Sequence, residues 1–246
     1  NGYLLVSRGS TTAYCLEELL GQPIEKNRYA VGQTIKGILC AIQQEDRLKP
    51  YTFHKGEVLP VEPGTVIDKL SAGDVLLKGA NAIDPFGNLG VLMASANGGT
   101  MGQFYMPMKA RGLEIIYPVG LEKLIPSVEE AARYGGTLAI GKAIGIPVGM
   151  ACVSDGRPFT EIDALEALFD VAAVHYASGG WGGAEGCVTI IVEGPDDGVT
   201  SCMEFIDGKI KGEPALPAVK GPCKACFMTH CSFHGKDEAQ LPAYLK

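Results

Sequence analysis

The chain of 246 residues predicts an α/β fold: a mostly parallel sheet with helices on both faces, followed by a smaller C-terminal α/β subdomain. Three observations predict it. Short apolar runs of strand length alternate with stretches whose apolar residues recur at helical spacing, the order that builds a parallel sheet. The 33 glycines gather in turns after those apolar runs, where strand-to-helix connections need tight bends and close backbone approach. Hydrophobic residues at 46% and charged residues at 20% are the balance of an ordinary globular protein, and the length supports a core that needs neither disulfide nor metal. The division expected is residues 1–148 as a ligand-binding α/β domain and residues 149–246 as a β-α-β-α subdomain with a Cys/His-rich tail.

The elements follow in order. Residues 3–6 are a short apolar strand, residues 8–12 a turn, and Leu16, Leu19 and Leu20 mark a helix that Gly21 and Pro23 close. Residues 29–70 read as short strands and loops punctuated by Pro60, Pro63 and Gly64. A strand at 74–77 leads into a turn-rich stretch over 78–88, and an apolar run at 90–94 ends in a glycine-rich loop over 97–102. Residues 113–119 form a buried strand, 128–134 a helix, and 138–153 a glycine-rich helix or strand packed closely on a neighbour. The last hundred residues predict strands at 149–153 and 187–193 and helices at 161–176, the longer and amphipathic one, and at 199–211.

Charge and hydropathy narrow the partners. A net charge of −7, with Lys and Arg scattered, disfavours nucleic acid and anionic membranes, which repel an acidic surface lacking a basic patch. The most apolar stretch, 138–153, is interrupted by Lys142 and Pro147 and falls short of the roughly 20 residues a membrane span needs. The first segment reads as a strand and not as a signal-type region, so export is not expected and a cytoplasmic protein is. Cys15, Cys40, Cys152, Cys187 and Cys202 lie in apolar or helical contexts and read as reduced core thiols of such a protein.

Two clusters carry chemistry. In the first, the turn over 7–12 sets Gly9, Ser10, Thr11 and Thr12 at a helix N-terminus, where free backbone N–H groups attract phosphate or carboxylate; capping by Ser10 or Thr11 is the alternative account. Further on, Lys78, Gly79, Ala80, Asn81, Ile83, Asp84 and Pro85 follow a strand, and Gly98, Gly99 and Thr100 follow the next apolar run. This succession resembles the ribose-5-phosphate isomerase A type within the superfamily of glucosamine-phosphate deaminases and coenzyme A transferases, over residues 3–105. The resemblance implies phosphate contact at Gly9, Ser10 and Thr11 and a match of Gly79, Ala80, Ile83, Asp84 and Pro85 to that family's G-A-D-E-[IV]-D-P run. Asn81 stands where the family carries a catalytic carboxylate, and an amide has no useful basicity. Ala82 replaces a glutamate, Lys78 replaces the first aspartate of the run, and no lysine precedes Gly98. The expected pocket therefore binds a phosphosugar, nucleotide or acyl-CoA through Gly9, Ser10, Thr11, Thr12, Gly79, Asn81, Gly98, Gly99 and Thr100, with Lys78 polarising the ligand and Asp84 carrying a proton. The family also implies self-association into a homo-oligomer.

In the second cluster, Cys223, Cys226, His230, Cys231 and His234 crowd into 12 residues of the C-terminal region. C-x2-C brings two sulfurs to one metal, and Cys231 with one histidine completes a tetrahedral zinc site; an iron–sulfur cluster is the alternative and needs a fourth ligand from elsewhere. The glycine-rich segment around Trp181 reads as a connection, a ligand loop or a subunit contact. No P-loop and no G-x-G-x-x-G follows a strand, so no nucleotide cofactor is expected. Three readings stand: an isomerase- or transferase-like pocket, a non-enzymatic metal- or ligand-binding protein with a degenerate site, and a redox accessory protein using the C-terminal cysteines.

Overall fold

A computed structural model describes residues 2–245. The N-terminal apolar run forms β1 (Tyr3–Val6), the turn after it enters α1 (Ser10–Leu20), and Gly21 ends the helix in the left-handed conformation at φ 63°, the usual glycine C-terminus. Two hairpins follow, β2 (Gly32–Ile35) with β3 (Ile38–Ala41) and β4 (Tyr51–His54) with β5 (Glu57–Leu59). Next come β6 (Val75–Leu77), β7 (Ala82–Ile83), β8 (Leu89–Met93), α2 (Met106–Ala110), β9 (Glu114–Pro118) and α3 (Val128–Ala132). The chain continues through β10 (Gly149–Val153), β11 (Arg157–Phe159), α4 (Glu161–Leu168), β12 (Ala172–Ser178), β13 (Val188–Glu193) and α5 (Asp196–Phe205).

The protein is α/β. A six-stranded sheet runs in the order β11-β9-β6-β1-β4-β5. The pairings β1 with β6, β6 with β9 and β9 with β11 are parallel, whereas β4 and β5 add antiparallel at one side. A smaller sheet, β10-β8-β7, and the hairpins β12-β13 and β2-β3 complete the strands. β10 and β11 thus pair with β8 and β9, strands from the part of the chain before residue 149. The pleat of β1 divides the core. Leu5 joins Leu76, Ile115, Tyr117, Phe104 and Met108, whereas Val6 joins Ala13, Leu16, Tyr29 and Phe53, as alternation of side chains across a strand requires.

The helix expected over 161–176 is half that length. α4 begins at a capping box between Thr160 and Asp163 and stops at Leu168. Beyond it Phe169 is extended, and 172–178 pairs with β13 as a strand. Ala172, Ala173 and Ala177 suit a helix as well as a strand, and the pairing with β13 outweighs the helical spacing. The stretch 138–153 resolves into turns and only β10 as regular structure. α5 starts ahead of the expected 199, after Pro195, with Asp196 and Asp197 in its first turn, where the helix dipole favours acids. Among the described residues no helix is long and apolar enough to cross a membrane.

Candidate functional site

β1, β6 and β9 are parallel, so their carboxyl ends lie along one edge of the sheet. Val6 is opposite Leu77, and beyond this pair Ser7 N donates to Leu77 O at 3.0 Å and Lys78 N to Ile116 O at 3.0 Å. Ser7 and Lys78 are therefore the next register neighbours. Alternation puts Ser7 on the face of Leu5 and Lys78 on the face of Leu76, which is one face, because Leu5 and Leu76 share a core. Ser7 is 4% exposed and its hydroxyl has no hydrogen-bond partner. Lys78 donates through Nζ to Gly79 O at 2.9 Å, and among the described residues no carboxylate pairs with it. The residue keeps some accessible surface, but its ammonium lies deep among protein atoms. Burial, with the positive charge of Lys123 added, pushes its pKa down to about 8. Lys123 lies in the turn after β9 and has Glu122 at 3.5 Å.

The α1 N-terminus reaches the same edge through a three-residue turn. Gly9 is its N-cap and offers no side-chain cap, so the first-turn amides keep their hydrogen-bonding capacity. Capping by Ser10 or Thr11 is thus not the role of these residues: Ser10 is exposed and both lie within the first turn. Thr12 is fully buried, and its hydroxyl donates to Ser7 O at 2.7 Å and Gly9 O at 3.1 Å. It clamps the turn.

Asp84 is 2% exposed and accepts four hydrogen bonds, from the backbone of Phe86, Asn88 and Val128 at 3.0 Å each and from Asn88 Nδ2 at 2.9 Å. Burial alone would raise its pKa; the Asn88 side chain and the three amides outweigh it and hold the carboxyl below its ordinary value. Such a group is a fixed anion, poorly suited to moving a proton near neutral pH. Asn81 is exposed, and its Oδ1 accepts from Leu92 N at 3.0 Å across the β7-β8 turn. The hydrogen bonds of Gly98 and Gly99 stay within their own loop, to Ser95 O and Asn97 Oδ1; φ angles of 74° and 55° suit glycine there. The structure therefore brings Lys78 and Gly79 to the edge occupied by the Gly9–Thr12 turn, whereas Asn81 is engaged across the β7-β8 turn, Asp84 by that turn and by Val128, and Gly98 and Gly99 within their own loop.

Sequence reasoning missed Ser7 and Lys123. Ser7 is legible as the residue after the strand, two beyond Leu5, while Lys123 carries no local signal.

The C-terminal cysteines lie in a second region, away from this edge. Residues 219–245 wrap over the β2-β3 hairpin, where Ile38, Phe233, Leu241 and Leu245 make a small core joined by Cys40, Cys223 and Cys231. Cys223, Cys226 and Cys231 line one pocket with Cys40, and His234 stands exposed at its rim. His230 is exposed and does not line it. All eight thiols are free, and Cys187, expected in the core, is exposed. Among the described residues no group of three or more His, Cys, Asp or Glu side chains stands ready-placed around a single ion.

No protein-family model matches the chain, and no curated protein or solved structure is significantly similar to it.

Proposed function

We propose that the chain binds a small anionic metabolite, bearing phosphate or carboxylate, at the carboxyl edge of β1, β6 and β9. One observation carries this reading: a buried hydroxyl without a partner, Ser7, lies in register beside a buried ammonium, Lys78, whose hydrogen-bond acceptor is only a backbone carbonyl. Buried polar groups are costly unless paired, and an anion satisfies both. Lys123 and the uncapped α1 N-terminus add positive potential at the same edge, and ligands of open α/β sheets bind beyond the carboxyl ends of the strands.

In this proposal the six-stranded sheet, with helices on both faces, is the frame of the pocket, and the chain from residue 149 adds a smaller subdomain. Gly9, Ser10, Thr11 and Gly79 supply amides. Lys78 takes the role first expected of Asp84, since an amine with a pKa of about 8 can exchange a proton or meet a carbonyl near neutral pH. An isomerase- or transferase-like reaction on a phosphosugar or acyl-CoA fits these parts.

The test is isothermal titration of the whole chain with inorganic phosphate, a pentose phosphate, a nucleoside monophosphate and coenzyme A. Binding by at least one of them, weakened about tenfold or more in Lys78→Met, which corresponds to about 1.4 kcal/mol, supports the site. Equal binding by wild type and variant, or none by any probe, overturns it.

A further inference from the structure

The structure assigns Cys40, Cys223, Cys226 and Cys231 to one four-thiolate site, and we propose that this site holds a cubane iron–sulfur cluster. The fourth ligand is what the C-terminal motif lacks by itself. Cys40 lies on β3, two residues after Ile38, and this spacing turns both toward residues 219–245.

The local chain folds to present the other three. Cys226 N donates to Cys223 O at 3.3 Å, closing the C-x2-C turn, and Cys231 N donates to Met228 O at 3.1 Å in a second turn. Gly235 N returns to Cys223 O at 3.0 Å and fastens the end of the loop to its beginning. The remaining wall is largely apolar, with Ile38, Ile146 and Phe233. The hairpin is held beneath it by the bridge of Leu39 to Gly145 and by Ile146 N donating to Leu39 O at 3.0 Å.

Two features beyond convergence suit thiolate ligands. Met228 N points at Cys226 Sγ and Phe233 N at Cys231 Sγ, each at 3.5 Å. Amide donors to sulfur stabilise thiolates and tune clusters. Lys220 also lines the pocket, a cation set in a wall of thiols. Ligation replaces each S–H by an S–Fe bond and releases four protons to solvent, with no change in the oxidation state of sulfur.

A cluster fits better than one zinc ion. Zinc at about 2.3 Å from each sulfur draws four sulfurs to within about 4 Å of one another, whereas among the described residues no three such side chains surround a single point. The four instead line the wall of one shared cavity, Cys40 from the hairpin and three from the C-terminal turns. The expected zinc set of three cysteines and one histidine gives way to a set of four cysteines, with His230 and His234 outside it.

The test is reconstitution of the whole chain with ferrous iron and sulfide under anaerobic conditions, followed by iron, sulfide and zinc analysis and visible absorption. About four irons and four sulfides per chain, with a brown colour bleached by dithionite, support the assignment. Cys40→Ser is expected to lose at least half of the iron, while Cys187→Ser keeps all of it. Should Cys40→Ser not fold, iodoacetamide mapping of the wild type decides: in the reconstituted protein Cys40, Cys223, Cys226 and Cys231 are protected together while Cys187 is alkylated. A colourless protein with one zinc overturns the cluster. Full iron in Cys40→Ser, or alkylation of Cys40 with the other three protected, overturns the four-ligand set.

Discussion

The Asp84 carboxylate accepts the backbone N–H of Val128 at 3.0 Å, fastening the turn between β7 and β8 to the first turn of α3. With three further donors on the same carboxylate, it is a joint of the fold. Asp84→Asn replaces one acceptor oxygen by a donor facing N–H groups, so the variant is expected to lose about 2 kcal/mol or more of unfolding free energy. Urea denaturation measures it. Because the folded carboxyl lies below its ordinary value of 3.8, its contribution is present above that value and disappears as pH falls through the folded pKa. The gap between wild type and variant should close on acidification.

Ser7→Ala separates fold from ligand. Removing an unpartnered buried hydroxyl leaves stability unchanged or raises it by up to about 1 kcal/mol. The same change is expected to weaken phosphate binding several-fold, by titration calorimetry. A large stability loss would mean that the hydroxyl already has a partner in the free protein.

Lys78 gives the proposed site its pH dependence. Its folded pKa of about 8 lies below the ordinary 10.5, so the unfolded chain binds the extra proton between these values. Stability of the unliganded protein therefore rises with pH across that window. Anion affinity runs the other way and declines above about pH 8, as the ammonium deprotonates. Lys78→Met should flatten both curves, followed by thermal denaturation and by titration at stepped pH.

Gly145 has φ 100°, and a Cβ there would run into the Leu39 backbone. Gly145→Ala is expected to cost about 2–3 kcal/mol from strain in the left-handed region and to loosen the bridge beneath the four thiols. Faster hydrogen exchange at Ile146, whose amide donates to Leu39 O, would localise the damage.

Tyr117 is fully buried with an unpartnered hydroxyl, in a cleft where Tyr105 donates to Asp155 at 2.8 Å and Lys109 pairs with the same carboxylate. Tyr117→Phe should be neutral or slightly stabilising in chemical denaturation, in contrast to the loss expected of Asp84→Asn.

Much of the fold was legible because local and tertiary preferences agree. The β1 to α1 turn, β6, β9, β10 and β13 have both strand composition and a partner. α4 failed because spacing over 161–176 does not reveal that 172–178 has β13 beside it. Lys78 and Gly79 were legible as the end of an apolar strand. Asp84 was misread in role because a carboxylate's donors come from backbone amides, including that of Val128, 44 positions away. Cys40 was illegible as a ligand for a similar reason: nothing within β2-β3 records that residues 219–245 fold over it.

That wrapping sets an order on how the molecule is made. Residues 219–245 leave the ribosome long after β3, so the face bearing Ile38 and Cys40 waits uncovered until they emerge, and the four sulfurs assemble only then. The early hairpin cannot close this centre alone, and the later segment cannot close it without the hairpin, so the pocket reports that two stretches far apart in the sequence have found each other.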